Sequence, residues 1–381
     1  MNGSYSSENL KDFLEKYFKE KEKQAVPNIL VCGYTGTGKT SIIQSLFGKD
    51  TVDDKLIGHG KPMTQGFEKY KNPNINVWDS KGFEHDKAQS ELTEETKKWI
   101  KAKENNPDSS IHMIWYTIHG PLARVTESDT DFIKSFKNII TIITQVDRTS
   151  KKQLEEMIKT LTDANISKEK IIPVFVYIPE PYEALDFLND DDDDSLKSTT
   201  SGYSEAIESE KKKQSQKQLK KLLNLTIKMM PDAYKEAIMN AQLIDLESKQ
   251  GKAQTIIHTA AVAAAVAAAD PIPLSDSLWI TGIQYGMIAS LTVLYGFTEE
   301  GVKAYFAPMI SQVAGTMLAT SLTKLIPGLG TVIQSGLAFS LTEAVGNLVN
   351  DYLIKCAKAR REGEPIPTFA VDPSYFKGFA D

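Results

Sequence analysis

Cysteine is scarce. Among 381 residues there are two, Cys32 and Cys356, far apart in the chain. Two isolated thiols exclude a disulfide framework and a cysteine-rich metal site. No strong excess of one charge is present either: the net charge is −6. That modest acidic balance argues against a whole-chain nucleic-acid binder, and no nucleic-acid partner is expected. The first twenty residues alternate Lys, Glu and aromatics, which suits neither a signal peptide nor a transit peptide. A cytoplasmic location is the expectation. What is present, 41% hydrophobic and 25% charged residues, is the make-up of ordinary folded protein. At this length two domains with a linker are expected.

The two halves differ in their physics. Residues 26–188 hold near-continuous apolar runs at 28–32 (NILVC), 75–78 (INVW), 111–118 (IHMIWYTI), 138–144 (NIITIIT) and 171–178 (IIPVFVYI). Such runs suit strands buried on both faces of a mainly parallel sheet. Helical patterns at 92–102 and 150–163 lie between them, so a three-layer α/β domain is expected. Residues 1–25 suit an amphipathic helix. Residues 189–204 carry five consecutive aspartates at 190–194, then SLKSTTSG. Like charges repel, so a flexible acidic linker is expected there, in preference to a metal site.

From 205 to 381 the pattern is helical and poor in charge. Between positions 271 and 342 only Asp276, Glu299, Glu300, Lys303 and Lys324 are charged. The charge-free stretches 277–298, 304–323 and 325–342 approach membrane-spanning length, yet they are rich in Gly, Ser, Thr and Gln. Proline and glycine breaks at 271–273 and 327–330 divide this half into helices near 253–269, 276–297, 303–326 and 331–356, with an apolar hairpin at the centre. Gly282-x-x-x-Gly286 permits close helix contact. Two readings stay open: an all-α domain that hides its hairpin, and one that offers it to a membrane or a protein partner.

The chemistry is written in the first half. Gly33-Tyr34-Thr35-Gly36-Thr37-Gly38-Lys39-Thr40 follows the strand NILVC and opens a helix at Ser41. This is the phosphate-binding loop pattern in strand–loop–helix context. Glycines let main-chain N–H groups curl round an anion, and the helix points its positive end at it. Lys39 would neutralise the β and γ oxygens and the Thr40 hydroxyl would ligate Mg²⁺. Downstream, Asp79-Ser80-Lys81-Gly82 ends the strand INVW, where a Mg²⁺-associated Asp79 and a γ-phosphate-sensing Gly82 belong. Thr64, in PMT, is the candidate switch threonine closing over the metal and the γ-phosphate. Thr144-Gln145-Val146-Asp147 follows the strand NIITII. A carboxylate there can accept both N1–H and the 2-amino group of guanine, a donor pair that adenine lacks.

On these motifs, residues 28–178 resemble the translation-factor-like P-loop GTPases, especially the Era/TrmE-like group. The resemblance implies GTP and GDP as ligands, Mg²⁺ as cofactor and a hydrolytic switch. It assigns nucleotide contacts to Gly33, Gly36, Gly38, Lys39, Thr40, Ser41, Thr144 and Asp147, metal contacts to Thr40, Thr64 and Asp79, and catalytic roles to Lys39, Thr64 and Gly82. Two departures stand out. TQVD carries Thr144 and Gln145 where the family pattern is Asn-Lys, and Phe83 follows Gly82 where Ras-like enzymes have a water-orienting glutamine. Family members with an apolar residue there are slow alone and draw help from another residue, a cation or a dimer partner. A homodimer through the GTPase domain is therefore one expectation, and Arg124 is a candidate for stabilising the transition state, against the alternative of ordinary surface pairing. Residues 255–346 are similar to the helical domain of the YcjF-like family of unknown function. The combined expectation is a GTPase switch controlling a helical effector domain, with a GTP-gated membrane-inserting effector or a low-turnover scaffold as alternatives.

Overall fold

The computed structural model describes residues 16–17, 26–49, 67–72, 74–80, 89–106, 109–177, 194–269, 276–297, 331–370 and 372–376. The expected helix over 1–25 lies outside these except at Lys16 and Tyr17, which are helical. The Tyr17 hydroxyl is 3.4 Å from Ser290 Oγ.

The first half is α/β. Strands β1 (Asn28–Gly33), β2 (Phe67–Asn72), β3 (Ile75–Ser80), β4 (Met113–His119), β5 (Ile139–Thr144) and β6 (Ile171–Pro173) form one sheet in the order β2-β3-β1-β4-β5-β6. All neighbours run parallel except β2 and β3. The five apolar runs all contribute strands. β2, FEKYKN, escapes that reading because charge suits an edge position and the apolar pattern is broken.

Alternation along each strand feeds two cores. On one face, Ile29, Val31, Val77, Met113, Trp115 and Ile142 meet Ile42, Ile43 and Leu46 of helix α1 (Lys39–Phe47). On the other, Leu30, Cys32, Ile114, Ile118 and Ile143 meet three helices. These are α2 (Gln89–Lys103), α3 (Glu127–Lys134) and α4 (Lys151–Asp163), and they contribute Ile100, Phe132 and Leu161 among others. Both Thr126 before α3 and Ser150 before α4 make reciprocal capping boxes, which fix where those helices start.

The second half is helical: α5 (Asp194–Met229), α6 (Asp232–Ala241), α7 (Leu246–Ala269), α8 (Asp276–Leu294) and α9 (Thr331–Glu362). Helix α5 starts at Asp194, inside the expected linker, while the preceding aspartates lie outside the described residues. The carboxy-terminal part of α5 joins the sheet. Leu219, Leu222 and Leu223 pack into the same core as α1, and Trp115 Nε1 donates to Thr226 Oγ1 at 3.0 Å. Beyond β6 the chain has no further strand beside it among the described residues. There Ser215 and Gln218 of α5 take up the main chain: Tyr177 N donates to Ser215 Oγ at 3.0 Å and Phe175 N to Gln218 Oε1 at 2.9 Å. A three-layer arrangement results, with a mostly parallel sheet between helices.

Helices α7, α8 and α9 build a separate core around Ile257, Ile288, Leu291, Tyr295, Val349 and Leu353. The close helix approach is at Gly346, where an added Cβ would meet Ile257 and Met287. Among the described residues nothing lies within 4 Å of where a Cβ added at Gly282 or Gly286 would sit. The expected helix near 303–326 and the Pro-Gly-Leu-Gly break lie outside the described residues. Helix α7 has 24 residues, and an 18-residue stretch of it with mean hydropathy 1.2 is long and apolar enough, by length and composition, to cross a membrane.

Candidate functional site

Residues from the carboxy ends of β1, β3, β4 and β5 converge at one edge of the sheet, which is where open α/β sheets bind ligands. β1 gives way to the turn Thr35–Gly38. Gly33 has φ +141°, and a Cβ on it would run into the Thr117 hydroxyl and carbonyl of β4. Gly38 occupies the cap position of α1 with φ +81° and no side-chain cap. The first-turn N–H groups of α1 thus stay directed at the loop, together with the positive end of the helix.

Lys39 is 6% exposed. Its Nζ donates to the carbonyls of Gly33 at 3.0 Å and Tyr34 at 2.8 Å, folding the side chain across the loop. Burial lowers its pKa, and the nearby Asp79 carboxylate opposes that shift. Thr37 Oγ1 donates to Tyr34 O at 2.8 Å and lies 2.8 Å from Thr117 Oγ1, which itself donates to Cys32 O. Thr40 Oγ1 donates to Asp79 Oδ2 at 3.2 Å. Two hard oxygen ligands beside an anion cradle are what a Mg²⁺ ion sharing its shell with phosphate oxygens and water requires. Among the described residues no cluster of three or more His, Cys, Asp or Glu could hold a metal alone.

At the end of β5, Gln145 takes left-handed φ +54° and opens a 3-10 turn, Val146–Arg148. Asp147 on that turn is exposed to solvent. Thr144 is buried, and its hydroxyl donates to Ile118 O at 3.2 Å, locking β5 to β4. Gln145 makes the bridge to the loop, its Nε2 donating to Gly36 O at 2.8 Å. Gln145, Thr37 and Thr117 tie the loop to its neighbours, and the motif reading assigned none of them a contact. Gln145 stood out only as a departure, and no spacing rule marks a hydroxyl on an adjacent strand.

Arg124 is exposed, two residues past a 3-10 turn that follows β4. It lies close enough to the loop to act on Tyr34. Burial and the Asp129 carboxylate push the Tyr34 phenol up to about 12, and Arg124 pulls it down. Asp129 is itself held by Tyr116 Oη at 2.5 Å and by Thr126 N at 2.8 Å. Ser41, in the first turn of α1, is half-buried and lines a cleft with Val176 and Tyr177. Thr64 and Gly82, with Phe83, lie outside the described residues.

No family model matches the chain. Magnetosome membrane protein 22 of Magnetospirillum gryphiswaldense is 36% identical to it over 106 residues. The match takes in 25% of this chain and 54% of that protein, so the chain spans about half the length of this curated relative.

Proposed function

We propose that the chain is a Mg²⁺-dependent P-loop GTPase of the Era/TrmE-like kind, a switch whose nucleotide state acts on the helical half. One observation carries this reading: a buried lysine lies across a glycine-rich loop at the open amino end of α1, beside a Thr–Asp pair. The first-turn amides and Lys39 together supply the charge and the donors that a β/γ-phosphate needs. Lys39 already spends donors on loop carbonyls, so its ammonium is aimed before any ligand arrives. Thr40 and Asp79 would hold Mg²⁺, which supplies charge neutralisation at the phosphate oxygens. Asp147 accepts from the guanine edge, and Gln145 keeps the Asp147 turn tied to the loop through Gly36. Arg124, at the rim beside Tyr34, is the chain's candidate for stabilising transition-state charge. With Phe83 in place of a water-orienting residue, turnover without a partner is slow.

Calorimetry with GTP, GDP and ATP in Mg²⁺ tests the assignment. GTP and GDP bind more tightly than ATP, and Asp147→Asn abolishes the preference. Equal or tighter ATP binding, or unchanged GTP binding by that variant, defeats it.

A membrane role for the helical half is the second reading. Two observations favour it: α7 carries exposed valines, Val262 (44% exposed) and Val266 (68%), and the partial relative is named as a membrane protein of the magnetosome. Liposome flotation with a GTP analogue and with GDP decides between a nucleotide-gated membrane effector and a switch acting on a protein partner. Absence from the lipid fraction in both states removes the membrane role.

A further inference from the structure

A cleft of about 510 Å³ opens between α1, the chain after β6, α5 and the carboxy end of α9. Its size is in the range of small-molecule sites. Val176, Leu219 and Ile244 contribute apolar surface, and Gln44 and Gln216 add amides. Three cations border it, one from each side: Lys49 just past α1, Lys212 on α5 and Arg361 on α9. All three are directed at one residue. The Glu362 carboxylate accepts from Arg361 Nη2 at 3.1 Å and lies 3.6 Å from Lys212 Nζ, while its main-chain oxygen accepts from Lys49 Nζ at 2.8 Å. Glu364 is the only other carboxylate among the residues bordering the cleft, so cations exceed anions.

We propose that this cleft binds a small phosphate- or sulfate-type anion carrying an apolar body, which displaces the Glu362 carboxylate from Lys212 and Arg361. The Lys212–Glu362 pair is long and half-exposed, the kind of contact that contributes little and gives way easily. A dianion offers the same cations more charge and more acceptor oxygens than one carboxylate. The apolar surface buries the rest of the ligand. The cleft lies on the seam joining the two halves, where Leu243 N donates to Leu46 O at 2.7 Å and Lys49 N to Arg360 O at 3.3 Å. Occupancy therefore fastens the end of α9 to α5. The inference does not depend on the nucleotide reading.

The probe is 1-naphthyl phosphate, titrated into the full chain both alone and with GDP and Mg²⁺ in excess. One saturable site per chain is expected, with the same affinity in both conditions. Lys212→Glu combined with Arg361→Glu weakens binding by about tenfold or more, whereas Glu362→Gln, which removes the internal competitor, tightens it several-fold. Both changes are near the surface, and their opposite directions separate binding from misfolding. No saturable binding, equal affinity in all variants, or displacement by GDP overturns the proposal. Displacement would make the cleft part of the nucleotide's own seat. Failure of GDP to bind at all would count against the GTPase reading alone, since the titration without nucleotide still tests the cleft.

Discussion

The sheet half and the helical half hold themselves together by different means. In the sheet half, main-chain ladders set the register: β1 pairs with β3 and β4 residue by residue, and side chains need only alternate to fill two cores. In the helical half each helix satisfies its own backbone, so nothing in the main chain fixes which helix faces which. Specificity there comes from side chains: Tyr295 Oη donates to Asn350 Oδ1 at 2.8 Å, Gln284 Nε2 to Thr342 Oγ1 at 3.1 Å, and buried Lys249 to Asn240 O at 2.8 Å. Gly346 admits Ile257 and Met287 against its backbone. A sheet is robust to side-chain change and sensitive to backbone change; a helical layer of this kind is the reverse.

That contrast can be broken at named places. The largest effect is expected at Gly33→Ala, where a Cβ collides with backbone and the φ is unfavourable. A loss of about 3 kcal/mol or more in denaturant unfolding is expected, with loss of nucleotide binding. Next is Lys39→Met. Nucleotide affinity measured by calorimetry falls about a hundredfold, roughly 3 kcal/mol. The thermal midpoint holds or rises, because a buried cation has been removed. In the helical half, Tyr295→Phe strands the Asn350 side chain in the core, and about 1–2 kcal/mol is lost in denaturant unfolding. A smaller effect belongs to Asp245, which joins the halves. It is 5% exposed, accepts from Ser248 N and Oγ, and sits 2.9 Å from Lys220 Nζ. Burial pushes its pKa up, but Lys220 and Ser248 outweigh that and hold it below the ordinary carboxylate value. A lowered carboxylate stabilises the fold fully above its unfolded value, near pH ~4, and loses that contribution as pH falls through the folded value. Asp245→Asn is expected to cost about 1 kcal/mol at pH 7, and its stability gap to the parent chain should narrow as pH falls below the ordinary carboxylate value of ~4.

Legibility in the sequence follows the same division. The five apolar strands were readable because burial on both faces demands unbroken β-branched runs, as in IITIIT. The glycine-rich loop was readable because its geometry needs particular residues at fixed spacing. β2 was hidden by its charge, and the membership of α5 in the sheet half was hidden because an amphipathic helix does not declare what it packs on. Gly346 carried no more signal than Gly282 or Gly286, yet among the described residues it is the one of the three where an added Cβ would meet neighbouring side chains. Thr144 shows what the motif left out at the site: its hydroxyl is tied to the Ile118 carbonyl of β4, a partner no local pattern marks.

The order of residues along the chain determined by itself that there would be strands buried on both faces, a glycine-rich turn between a strand and a helix, and a helical half poor in charge, because each depends on composition or conformation local in sequence. Which glycine lets helices touch, which amide ties the Asp147 turn to the loop, and that three cations from three elements gather on Glu362 were decided by tertiary structure alone. Apart from Arg361 and its chain neighbour Glu362, those arrangements pair residues tens to hundreds of positions apart, and no local preference encodes such meetings.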